Sequence, residues 1–171
     1  STHQLNPLFF EFKEIPIEYF GIITGAIFAC SSFGHYFSHN FSEKIGEKTS
    51  LVIAALATPA LLIPATFLLK WFAAILIIIQ SFFFGIRNPI MEHLLNKATN
   101  SEKRATVLSI ASFMHQLSMA CLLPFVGYLA DIYSINTAFR ISGVLFLLAP
   151  ILFFFLKQFP KQEIKYTNRG R

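Results

Sequence analysis

Five long apolar segments alternate with short polar gaps along this chain of 171 residues. Each is close to the length of about 20 residues that a helix needs to cross a bilayer core about 30 Å thick. Several are apolar around their whole circumference, which distinguishes them from the one-sided helices of soluble proteins. The pattern therefore predicts an all-α, polytopic transmembrane helical bundle with five spans, at residues 17–35, 51–69, 71–86, 105–130 and 138–156.

The composition agrees with a membrane protein and argues against other classes. Charged residues make up 13% of the chain, against about 25% in ordinary soluble domains. The net charge of +5 does not indicate nucleic-acid binding, because the basic residues form no single face or stripe. Cys30 and Cys121 lie inside apolar segments and the five His residues are scattered. We therefore predict no metal, no cofactor and no enzyme active site.

The distribution of basic residues predicts the orientation. Residues 1–16 form a mixed head, residues 17–156 contain the five spans, and residues 157–171 form a basic tail. If the gaps at 40–50 and 87–104 lie on the same side as the tail, that side holds eleven of the 14 Lys and Arg residues. Short cytoplasmic loops are rich in Lys and Arg. We therefore expect an extracytoplasmic head and a cytoplasmic tail, in a multi-pass protein of the cell (plasma or inner) membrane.

Polar residues inside the spans are the candidates for a substrate or proton path. They are Ser109, Ser112, His115 and Gln116 in the fourth span and Gln80 in the third. The two serines and Gln116 lie on one helical face, at steps of three or four residues, and His115 lies beside them. Intramembrane polar groups normally face the bundle or a water-filled cavity, and a His side chain exchanges protons near neutral pH. Two interpretations stay open: a substrate or proton path, or hydrogen bonds between helices.

A second pattern concerns helix packing. Gly21, Gly25 and Ala29 recur every four residues in the first span. A stripe of small residues with this spacing allows two helix backbones to approach closely. We therefore predict that this face of the first span packs against another helix.

Two longer stretches resemble a known family of transporters. The first is FGIRNPIMEHLLNKATNSEKRATVLSIASFMHQL, which includes Pro89 and the run RATVLS that begins at Arg104. The second is GYLADIYSINTAFRISG, from Gly127 to Gly143. They resemble the tenth to twelfth helices and their connections in the drug-efflux-like branch of the major facilitator superfamily.

The gap HNFSEKIGEK resembles a degenerate second copy of that family's cytoplasmic signature. Glu43, Lys44, Gly46 and Lys48 match the signature in residue type. His39 stands in place of its glycine, and Glu47 replaces a base. With Pro89 and Arg104, the resemblance implies that these residues belong to a cytoplasmic gate and loop motif.

The resemblance covers nearly the whole chain, as the eighth to twelfth helices of a twelve-helix fold. It implies part of the C-terminal half of a secondary transporter that moves a small solute by alternating access, with proton-coupled efflux as the activity of the branch. The implied partners are the lipid bilayer, the missing N-terminal half and a small-molecule substrate. The alternative is a truncated or split integral membrane protein that does not transport and has an assembly or structural role.

Overall fold

The computed structural model describes residues 2–99 and 101–155. Short 3₁₀ helices occupy Thr2–Leu5, Ile17–Tyr19 and Ser101–Lys103. The α-helices are α1 (Asn6–Phe12), α2 (Phe20–Ile45), α3 (Glu47–Phe67), α4 (Lys70–Ala98), α5 (Arg104–Ile132), α6 (Ile135–Phe146) and α7 (Leu148–Phe154). No strand occurs in these two described ranges. The basic tail at 157–171 lies outside the described residues.

Five helical stretches are long and apolar enough to cross a membrane. They are Ile17–Ile45, Glu47–Phe67, Lys70–Lys97, Arg104–Ile132 and Ile135–Phe154. This arrangement confirms the predicted all-α fold with five spans.

The two longer gaps among the first four predicted spans, at 40–50 and 87–104, differ from the prediction, because both are largely helical. The gap at 40–50 contracts to one residue, Gly46, between α2 and α3. In the gap at 87–104, α4 continues to Ala98, so Pro89 lies inside a helix rather than in a loop. Charged residues end an apolar run but need not end a helix, because the backbone hydrogen bonds of a helix also form where it extends into water. Loss of hydrophobicity therefore marked the edge of each apolar run and not the end of its helix.

Proline has different consequences in the second and fifth spans. Helix α3 continues through Pro59 and Pro64. The fifth span is instead divided into α6 and α7 at Leu147. A proline has no N–H for the carbonyl four residues before it, and its ring clashes with that carbonyl. Pro150 has this relation to Phe146, the last residue of α6, whereas Pro59 and Pro64 lack the corresponding bond without ending α3.

The helices pack as a central group with one peripheral member. Helix α4 packs along α2 and α3, while α6 and α7 pack along α3. Helix α5 packs mainly on α6. None of the apolar window of α5 is buried inside the protein, compared with 50% of the window of α3. One long helix therefore presents most of its circumference outward.

The head packs onto the central group. Phe9 and Phe10 of α1 are 0% and 1% exposed. The ring of Phe9 stacks on that of Phe139 in α6, with the centroids 4.6 Å apart. Ile77 of α4 and Leu62 of α3 belong to the same buried cluster. The first residues of the chain thus help to hold α3, α4 and α6 together.

Candidate functional site

The candidate substrate or proton path lies in two separate places. Ser109, Ser112, His115 and Gln116 are all exposed on α5. Gln80, by contrast, is 4% exposed within α4, and α5 has no extensive contact with α4 in the described residues. The structure therefore does not bring Gln80 together with the polar face of α5.

The polar face of α5 lies near the middle of that helix. The helix has 29 residues, and a rise of about 1.5 Å per residue places His115 roughly 17 Å from its first residue, Arg104. Another polar side chain, Ser118, follows His115 by three residues and donates its hydroxyl to Met114 O at 2.7 Å. The hydroxyl of Ser118 is therefore satisfied within its own helix.

The residues of the predicted gate and loop motif form a second candidate site. A cavity of about 1040 Å³ is lined by Glu43, Lys44, Gly46, Lys48 and Pro89. These residues of the predicted gate motif therefore come from three helices, α2, α3 and α4, and line one cavity. Arg104 is not part of this lining; it is exposed at the first position of α5.

Gly46 makes the turn between α2 and α3 possible. Its φ of 88° and ψ of 149° lie in a region that only glycine adopts without strain. Its N–H donates to Ser42 O at 2.9 Å. The hydroxyl of Ser50 donates to Gly46 O at 2.8 Å. Two long helices can therefore reverse direction around one residue, which positions both sides of the cavity.

Two His–Glu pairs line this cavity, and sequence reasoning identified neither. His39 Nε2 lies 3.7 Å from Glu43 Oε1 on α2. His93 Nε2 lies 3.4 Å from Glu47 Oε1, joining α4 to α3. The two departures from the family signature, at 39 and 47, each have a partner of complementary chemistry. The spacing of four residues between His39 and Glu43 is a signal that the sequence offered, whereas His93 is distant in sequence and gave none.

The described residues contain no group of three or more His, Cys, Asp or Glu side chains that could hold a metal ion.

The closest helix approach occurs away from the predicted stripe. A Cβ atom built on Gly21 or Gly25 would meet nothing within 4 Å, and Ala29 is exposed. The tight crossing lies instead between α2 and α4, where a Cβ on Gly34 would press against the backbone of Phe82 and one on Gly85 against that of Ser31. The role of the stripe thus stays a prediction.

The sequence did contain a signal for that crossing. Gly34 precedes Ser38 by four residues, and Ser81 precedes Gly85 by four. Each pair has the small-xxx-small spacing that favours close packing. Both glycines are buried, unlike those of the predicted stripe. The spacing alone therefore did not distinguish the helix faces with Gly34 and Gly85, which pack against each other, from the exposed face with Gly21 and Gly25.

The opposite end of the bundle holds three basic residues that the sequence reasoning used only for orientation. They are Lys13, Lys70 and Arg140, and they line a second cavity of about 340 Å³. Lys44, Lys48 and Lys97 line the first cavity, so basic residues gather at two separate ends. Which end faces the cytoplasm stays a prediction from the excess of Lys and Arg.

Comparison with protein families gave one match. A family model described as Major Facilitator Superfamily matches residues 5–170. The comparisons with curated proteins and with solved structures gave no match. The matched range contains all five helical stretches that are long enough to cross a membrane.

Proposed function

Because the chain belongs to the Major Facilitator Superfamily, and is therefore a multi-pass membrane transporter chain, we propose that its spans are the eighth to twelfth helices of a secondary transporter. Such proteins move a small solute by rocking two halves around a site near the middle of the bilayer. The bilayer and a small-molecule substrate are the partners that membership in the family implies. The finer parts of the proposal concern the second half, the proton and the substrate.

The exposed polar face of α5 is the observation that carries the proposal. Ser112, His115 and Gln116 would be costly to leave in hydrocarbon, because intramembrane polar groups normally face a bundle or a water-filled cavity. No described helix covers them. We propose that the N-terminal half of the transporter supplies the opposite wall and that the solute passes between the two.

His115 is the proposed proton carrier on this face. It is a histidine near the middle of α5, and an imidazole can both accept and donate a proton. The acidic residue of α5, Asp131, lies one position from the end of the helix. A proton taken up at His115 would add a positive charge to the path, which couples proton binding to solute release. The proposed reaction is proton-coupled export of an amphipathic compound.

The cavity at the Gly46 turn is the proposed cytoplasmic gate. Glu43, Lys44 and Lys48 lie on two helices joined by one residue, and Pro89 lies on the facing helix α4. Rocking of the two halves would open and close this end. Arg104, at the first position of α5, would anchor that helix at the membrane surface.

The test is transport by the complete gene product, reconstituted in vesicles with an imposed pH gradient. Fluorescent amphipathic cations, ethidium and rhodamine 6G, serve as the probes. We expect His115→Gln to abolish flux driven by the pH gradient while exchange of the probe at equal pH persists. Ser118→Ala is the matched control, because the hydroxyl of Ser118 is already bonded to Met114 O within the helix, and it should leave both activities unchanged.

Two results would count against this function. If flux driven by the pH gradient survives in His115→Gln, His115 is not the proton carrier. A wild-type protein that moves neither probe, with or without a gradient, would remove export of amphipathic cations and favour the alternative of a non-transporting assembly protein.

A further inference from the structure

The cavity at the end of the bundle opposite Gly46 has an unusual charge balance. Its lining contains three cations, Lys13, Lys70 and Arg140, and one carboxylate, Glu14. Close by, the rings of Tyr19 and Trp71 meet edge to face with centroids 4.9 Å apart. Tyr and Trp are enriched where hydrocarbon meets headgroups. The cavity is therefore a basic pocket beside an aromatic pair of the kind that membrane interfaces favour.

Lys13 is held rigidly within this pocket. It is 8% exposed, and its ammonium donates to Thr66 O and Leu68 O, each at 2.8 Å. Both carbonyls belong to the C-terminal end of α3, which a positive charge stabilises. An ammonium has three donors, so these two bonds leave one N–H for a further acceptor.

Arg140 reaches the same end of α3 from α6. Its Nε donates to Thr66 Oγ1 at 2.9 Å, and its guanidinium lies over the ring of Phe67, 3.9 Å from the centroid. Stacking and one hydrogen bond fix the plane of the guanidinium and leave its other N–H groups for a planar or tetrahedral oxyanion.

The two cations lack a counter-ion. Neither Lys13 nor Arg140 forms an ion pair with any residue in the described part of the chain. Burial lowers the pKa of Lys13, and the positive charge of Arg140 lowers it further. The protein therefore holds two like charges together in a half-closed pocket, an arrangement that a bound anion would relieve.

Backbone strain and incomplete hydrogen bonding occur at the same place. Glu14 and Lys70 have positive φ values of 55° and 38°, and their side chains pair at 3.5 Å. Asn136, in the first turn of α6, lines the cavity. Its buried Oδ1 has no hydrogen-bond partner among the described residues; because this oxygen is an acceptor, the NH2 of Asn136 is the part that can donate to an anion. Strained residues of this kind collect at ligand clamps.

We propose that this cavity binds a phosphate group, presented by an anionic phospholipid or by free phosphate, between Lys13, Arg140 and the first turn of α6. The N–H groups at the start of a helix attract an anion, as the two cations do. Phe12, Phe67 and Leu69 form apolar parts of the lining, which suits the glycerol and upper acyl region of a lipid. The site lies at the other end of the spans from the proposed gate.

The test uses the purified full chain in neutral detergent and measures its thermal unfolding. The additives are phosphatidylglycerol, phosphatidylcholine and inorganic phosphate. We expect phosphatidylglycerol to raise the melting temperature at lower concentration than phosphatidylcholine, whose choline cation the basic pocket repels. A response to inorganic phosphate equal to that of phosphatidylglycerol would assign the site to free phosphate, and a response to the lipid alone would assign it to a headgroup.

Two variants and one control make the test specific. Arg140→Gln removes a charge-assisted hydrogen bond and should raise the half-saturating concentration about tenfold. Asn136→Asp places a carboxylate one turn before Arg140, in the first turn of α6, where an acidic residue stabilises the helix. It should therefore fold well, melt higher without additive and lose the anion response. Arg104→Gln removes an exposed arginine at the other end and should keep the response.

Three results would overturn the proposal. One is equal stabilisation of the wild-type chain by phosphatidylglycerol and phosphatidylcholine without any effect of phosphate. Another is an undiminished anion response in Asn136→Asp, which stays informative even if Arg140→Gln does not fold. The last is an equal loss of response in Arg104→Gln, which would show a general effect of net charge.

Discussion

Replacement of Gly34 or Gly85 by alanine should separate α2 from α4. A Cβ on Gly34 would lie 3.0 Å from the carbonyl carbon of Phe82 and 3.1 Å from the Cα of Gly85. A Cβ on Gly85 would lie 2.9 Å from the carbonyl carbon of Ser31 and 3.1 Å from the Cα of Gly34. All four neighbours are backbone atoms, so no flexible side chain can move aside. The two helices themselves must shift.

The size of the effect follows from these distances. Carbon atoms in ordinary contact lie about 3.5–4.0 Å apart, and each new Cβ would lie nearer still to a carbonyl oxygen, that of Phe82 or Ser31, so the helices must separate by roughly 1 Å or more at the crossing. Overpacking of this kind costs about 1–3 kcal/mol, and contact with a backbone favours the upper end. Alanine regains about 0.5–1 kcal/mol over glycine within a helix. The net loss should be about 2 kcal/mol, or roughly 4–8 °C in melting temperature for a chain of this size.

The assay is the fraction of purified protein that stays monodisperse on size exclusion after heating in detergent. Gly21→Ala and Gly25→Ala are matched controls on the same helix, because a Cβ at either position meets nothing within 4 Å. They should leave the melting temperature unchanged or raise it. The double variant at 34 and 85 should lose less than the two single losses combined, since one separation of the helices accommodates both methyl groups. Equal melting of Gly34→Ala and Gly21→Ala would refute the reasoning, and so would full additivity.

Two further predictions concern the two ends of the bundle. Gly46→Ala should cost about 1–3 kcal/mol by the same assay, because φ of 88° with ψ of 149° strains any residue with a Cβ; a melting curve that matches wild type would contradict the tight turn. The second concerns pH, because burial and then the charge of Arg140 lower the pKa of Lys13 below its ordinary value of 10.5. In the anion-free protein the unfolded chain therefore binds more protons than the folded chain between that lowered pKa and about 10.5, and stability should rise with pH through this window. Melting temperatures from about pH 8 upward should rise less steeply in Lys13→Gln than in wild type, and a wild-type profile that falls relative to the variant would contradict the sign.

The apolar runs predicted the number and order of the spans, because burial in a bilayer demands about 20 apolar residues whatever the packing. They did not predict where helices end. Arg87 and Pro89 interrupt the apolar run of α4, yet the helix continues to Ala98. Membrane crossing depends on transfer from water to lipid, whereas a helix end depends on backbone geometry, such as the positive φ of Gly46.

The candidate sites show a similar division. One cavity is lined by the motif residues Glu43, Lys44, Gly46, Lys48 and Pro89. Most of them are close in sequence, so a local motif could indicate that they lie together. Lys13 was counted only for its charge, although it bonds to two carbonyls more than 50 residues away in sequence. A contact between distant segments leaves no periodic trace in either one. The pocket at that end therefore could not be predicted from the sequence.

The two sequence stripes that find no partner among the described residues have a common physical explanation. Gly21, Gly25 and Ala29 lie on α2, and the polar face with His115 lies on α5. These are the two least buried spans, with 17% and 0% of their apolar windows inside the protein. Lipid would satisfy the glycine stripe but not Ser112 or His115, since hydrocarbon offers no hydrogen bonds. We infer that one further surface, the N-terminal half of the proposed transporter, covers both helices. On this argument, a bulky Gly25→Leu substitution should impair assembly of the complete transporter while leaving the melting of this chain alone unchanged, whereas Gly34→Ala should impair both.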